Sequence, residues 1–142
     1  MMQENLSQEW VGTGEEQIYV ENILDHYKYP HNFAVLENYT HRNKQLNPLC
    51  GDEIELFLTL ANNTVQTVSF QGKGCAISMA AASMLTDFVK GKTVEEVKNI
   101  DNNQIIELLG IKLGIVRIKC GLLALNVLQT ALTGGNQNGI SH

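Results

Sequence analysis

The chain has 142 residues, 44% of them hydrophobic and 18% charged, with a net charge of −5. That is the size and make-up of one globular domain with one core. Its ten basic residues are scattered along an acidic chain, which counts against nucleic acid as a partner, since phosphate binding wants a basic face.

No apolar run approaches a membrane span, so no membrane partner is expected. The opening segment MMQENLSQEWVGTGEE carries neither the basic region nor the apolar core of a signal peptide. The expected location is the cytoplasm, where thiols stay reduced. Residues 1–13 read as a flexible N-terminus.

A single domain is expected over 14–132. Thr13-Gly-Glu-Glu16 has the form of a capping box, and Val20, Ile23, Leu24 and Tyr27 follow at helical spacing. A helix over 14–28 is therefore predicted, stopped by Pro30. A short edge strand is expected near 41–47. EIELFLTL (53–60) alternates, with Ile54, Leu56, Leu58 and Leu60 on one face and Glu53, Glu55, Phe57 and Thr59 on the other. ANN is a turn, and TVQTVSFQ (64–71) is the partner strand of an antiparallel hairpin. AISMAAASMLTDFVK (76–90) is a helix that stops at Gly91. Thr93-x-x-Glu96 and Asp101-x-x-Gln104 are capping boxes of two short helices, the second closed by Gly110. A turn is placed at Gly114 and a final apolar helix over 121–132. TGGNQNGISH (133–142) reads as a disordered tail. The fold class is α+β: an N-terminal helix, a small antiparallel sheet and a helical C-terminal half.

The three cysteines lie at the junctions of these elements: Cys50 in NPLCGD, Cys75 in GKGCAIS and Cys120 in RIKCGLL. A lone cysteine is often just a small apolar filler. Three at element ends, two of them at predicted helix starts, argue for a shared role, because a helix N-terminus stabilises a thiolate. Their spacings are far wider than those of a zinc finger. The hairpin brings Cys50, before its first strand, close to Cys75, after its second. A tetrahedral thiophilic site needs a fourth ligand. Asp52 is the best candidate, and Gly51 lets the chain fold back between it and Cys50. Gly74, with Gly72, gives turning freedom and room beside Cys75. Lys119 could lower the pKa of Cys120 or balance the charge of the site. Arg117 and the histidines read as surface residues, with His41 a weak spare ligand.

These residues give the chain a resemblance. LDHYKYPHNFAVLE (24–37), NPLCGDEI (47–54), FQGKGCAISMAAASML (70–85), VKGKTVEEV (89–97) and RIKCGLLAL (117–125) make it similar to the IscU/SufU/NifU-N-terminal family of iron–sulfur cluster assembly scaffold proteins. The resemblance implies a three-stranded antiparallel sheet packed against helices, of the SufE/NifU-like kind. It implies sulfur received as persulfide from a cysteine desulfurase, with Cys50 the most plausible acceptor. Iron would be held, and a [2Fe–2S] cluster assembled on Cys50, Asp52, Cys75 and Cys120 for transfer to apo iron–sulfur proteins.

Three features speak to the branch and its partners. Lys119 stands where scaffold members usually carry histidine, as in the SufU branch. There the same four ligands hold zinc, and the protein is a sulfurtransferase. The interval between the second and third cysteines, lacking the usual SufU insertion, is IscU-like. The segment LGIVR (113–117) has no proline, which counts against engagement of an Hsp70-type chaperone.

Overall fold

The computed structural model describes residues 14–48 and 50–133. The chain runs α1 (Gly14–Lys28), β1 (His41–Asn47), β2 (Asp52–Ala61), β3 (Thr64–Lys73), α2 (Ala76–Val89), α3 (Val94–Lys98), α4 (Asn102–Leu109) and α5 (Ile115–Leu132). The expected N-terminal segment, with its Thr13 cap, lies outside the described residues, as does the expected tail beyond Thr133.

The three strands form one antiparallel sheet in the order β1-β2-β3. Asn62 and Asn63 both take positive φ, 54° and 64°, in the two-residue loop between β2 and β3. Two left-handed residues match the twist of a tight hairpin, and asparagine tolerates that conformation. The register pairs Leu58 with Val68, Leu56 with Phe70 and Ile54 with Gly72. These side chains share one face, and Ile54, Leu56, Leu58 and Phe70 are fully buried there. Helices α2 and α5 cover that face and pack on each other, and α1 packs on α2. Both short helices carry their capping boxes, at Thr93/Glu96 and Asp101/Gln104, and α4 ends on a left-handed Gly110.

The placements of Leu24, Tyr27 and His26 differ from expectation. Leu24 and Tyr27 are exposed, and the inward face of α1 is Val20, Ile23 and His26. His26 is not a surface residue. Its Nδ1 lies 2.7 Å from Ser83 Oγ on α2, so a partner waits for a buried imidazole. Burial, and then the neighbouring His31, push the pKa of His26 below its ordinary value. Phe57, on the outer face of the sheet, is buried because Tyr39 lays its ring over it at 5.6 Å. Around Phe57 the outer face is polar: Arg42 and Gln71 both bond Glu55.

The last helix starts six residues earlier than predicted, capped by Gly114. At its full length α5 is apolar enough, by length and composition, to cross a membrane. A start at Gly121 hid that length. Cys120, Leu123, Ala124, Val127 and Leu128 turn one face of α5 into the core, which explains its apolar composition.

Ser83 is fully buried and serves two partners, since the backbone N–H of His31 also donates to its Oγ at 2.8 Å. Ser83→Ala would strand both. We expect a loss of about 2 kcal/mol, read as a lower urea midpoint at unchanged slope.

Candidate metal centre

The site forms where the turn after β1, the junction of β3 with α2 and the second turn of α5 meet. In the turn, the Asn47 carbonyl accepts the N–H groups of Cys50 (3.3 Å) and Gly51 (2.8 Å). Gly51 takes φ +72°, a left-handed value that lets the chain reverse into β2. Asp52 opens β2 opposite Asn47. Pairing of Glu53 with Lys73 then sets Asp52 beside the Gly74–Cys75 junction.

Cys75 is the N-cap of α2 and has no side-chain cap of its own. Its backbone N–H donates instead to Asp52 Oδ1 at 2.9 Å. A carboxylate at a helix N-terminus satisfies an orphan donor and meets the positive end of the helix dipole. The other oxygen, Oδ2, lies 3.8 Å from Cys75 Sγ, and Ser78 Oγ lies 3.8 Å from the same sulfur. Asp52 is fully buried.

Cys120 is not at a helix start. It is the sixth residue of α5, turned inward and fully buried. Its Sγ lies 2.8 Å from Cys50 Sγ. The ligand atoms of Cys50, Asp52 and Cys120 all fall within 4.8 Å of one another. Cys75 adjoins them through Asp52. All three cysteines are free, with Cys50 and Cys75 half-buried, so the cluster is closed at Cys120 and open at the other two thiols.

Electrostatics at Cys120 run opposite to expectation. Burial raises its pKa, and hydrogen bonding to Cys50 and Asp52 raises it further. Lys119 does not offset this: it is exposed and lines a cleft between β1 and α5. Arg117 is exposed as well. His41 pairs with Leu58 at the far end of β1 from Asn47, about 20 Å along the strand, so it is no spare ligand.

Two neighbours of the thiols were not anticipated, Asn47 and Ser78. Each stands three residues from its cysteine, Asn47 before Cys50 and Ser78 after Cys75, the reach of a turn and of a first helical turn. That spacing was the available signal.

A model of the NifU-like N terminal domain family matches residues 18–137. The chain belongs to this family. It is 35% identical to the zinc-dependent sulfurtransferase SufU of Bacillus subtilis, over 85% of this chain and 95% of that one. It is 32% identical to the iron–sulfur cluster assembly scaffold protein IscU 1 of Archaeoglobus fulgidus, over 81% of this chain and 74% of that one. A crystal structure of FiSufU from Fervidobacterium islandicum AW-1, a candidate cluster assembly scaffold for the SUF system, superposes with a TM-score of 0.70 at 31% identity. It covers 84% of this chain and 99% of that one. That superposition shows a shared overall fold.

Gly74 shows how tightly the candidate site is built. A Cβ at that position would sit 2.5 Å from Asp52 Oδ1 and 2.6 Å from Ser78 Oγ. Gly74→Ala must therefore displace the buried carboxylate, and a stability loss of about 1–3 kcal/mol is expected. At Gly51 an added Cβ meets nothing within 4 Å, but the positive φ remains. Gly51→Ala is expected to cost about 1–2 kcal/mol from backbone strain alone. Urea unfolding measures both, and backbone amide shifts at Cys75 should move only in Gly74→Ala.

Proposed function

We propose that this chain is an iron–sulfur cluster assembly scaffold that works in the cytoplasm. It takes sulfur from a cysteine desulfurase, binds iron, and holds a transient [2Fe–2S] cluster for delivery to apo-proteins. The observation that carries this reading is the convergence of three thiols and one carboxylate from three separated segments. Soft thiolates with one hard oxygen donor suit zinc or an iron–sulfur core far better than magnesium or calcium.

In this reading Cys50, Asp52, Cys75 and Cys120 are the ligands. Cys50 is half-buried on a turn, so a partner can reach its sulfur. Its thiolate attacks the outer sulfur of the donor's persulfide. The donor's S–S bond breaks, the donor cysteine leaves as thiolate, and Cys50 carries the new persulfide. Asp52 is the weak ligand, because a carboxylate is a poorer partner for a soft core than a fourth thiolate. A cargo held this way can be released. Supporting places go to Gly51 and Gly74, which shape the site, and to Lys119 at its margin.

The likeness to Bacillus subtilis SufU favours a second reading. Here zinc resides at the same four side chains and the protein is a sulfurtransferase. The zinc would supply charge that keeps the thiols ionised.

Metal analysis of the isolated protein separates the two. Anaerobic incubation with iron, cysteine and a desulfurase should then give [2Fe–2S] absorbance bands, abolished in Cys50→Ser, Cys75→Ser and Cys120→Ser. One tightly held zinc per chain and no such bands would overturn the scaffold reading. Asp52→Ala should hold its cluster longer than wild type; faster bleaching in that variant would contradict the weak-ligand role.

A further inference from the structure

We propose that Asn47 is a positioning residue for Cys50: its side-chain amide holds the Cys50 sulfur toward the site through an N–H···S hydrogen bond. The proposal rests on the metal-binding reading above and extends it by one residue.

Asn47 ends β1 directly opposite Asp52, so the two side chains leave the sheet on the same face. Its Nδ2 lies 3.6 Å from Cys50 Sγ. Its carbonyl holds the backbone N–H groups of Cys50 and Gly51. One residue therefore grips the Cys50 turn by main chain and side chain together. This matters most at Cys50. Cys120 is fixed by a long helix and Cys75 by the cap of α2, whereas Cys50 stands on a short turn. The Cys50 sulfur has Asn47 Nδ2 at 3.6 Å and Cys120 Sγ at 2.8 Å.

The chemistry follows from the donor. An amide N–H aimed at a thiolate draws off part of its charge and fixes its direction, as outer partners of metal ligands do. Asn47 also lines the cleft between β1 and α5. The hydrogen bond reaches the sulfur of a half-buried residue, where it opposes departure of Cys50.

Asn47→Asp is nearly isosteric, removes the donor and adds a like charge beside the sulfur. Zinc-loaded and cobalt(II)-loaded proteins should be compared by chelator competition and by the cobalt–thiolate charge-transfer band. Asn47→Asp is expected to bind zinc about tenfold more weakly and to shift that band, with Asn47→Ala between it and wild type. Far-UV circular dichroism and the urea midpoint of the metal-free proteins report folding separately. If Asn47→Asp does not fold, Asn47→Ala carries the same comparison. Affinities within twofold of wild type and an unmoved band would overturn the role. If wild type takes up no cobalt through thiolates, the metal-binding reading falls, and this role with it.

Discussion

One hydrogen bond ties the sheet to the helices at the site: the N–H of Cys75 to the buried carboxylate of Asp52. Asp52 belongs to the first residue pair of β1 and β2, and Cys75 opens α2. The bond therefore sets where α2 begins relative to the hairpin. It also directs the second carboxylate oxygen toward the Cys75 sulfur. Gly74 leaves the space in which this happens. Remove the carboxylate and the helix loses its cap, the thiol group loses its neighbouring oxygen donor, and a half-buried N–H loses its partner.

Most of the fold was legible in the sequence because its elements obey local rules. The alternating run from Ile54 to Leu60 could only be a strand. Two asparagines and a β-branched run after it made a hairpin. Thr93/Glu96 and Asp101/Gln104 announced their helices by capping chemistry. The gathering of Cys50, Asp52 and Cys75 was legible too, since antiparallel pairing brings the two ends of a hairpin together.

What was not legible depended on contacts distant in sequence. His26 looked like a surface residue because Ser83, its partner, lies 57 positions away. Leu24 and Tyr27 fit a helical stripe, yet α2 lies against Val20, Ile23 and His26 instead. Cys120 was misplaced for a local reason. Gly121 suggests a helix start, but Gly114 is the cap and Gly121 continues the helix. The error mattered, because a thiol at a helix start would be stabilised as thiolate, whereas a thiol buried inside one has its pKa raised.

Cys120 and Cys50 nearly touch, but they stand on very different supports. Cys120 rides on an 18-residue helix whose inward face belongs to the core. Cys50 rides on a turn of a few residues, hinged at a glycine. The site therefore joins one sulfur held by the core to another held by a turn, and the two supports answer to different parts of the fold. Displacing Cys50 would disturb that turn and leave the packed face of α5 untouched.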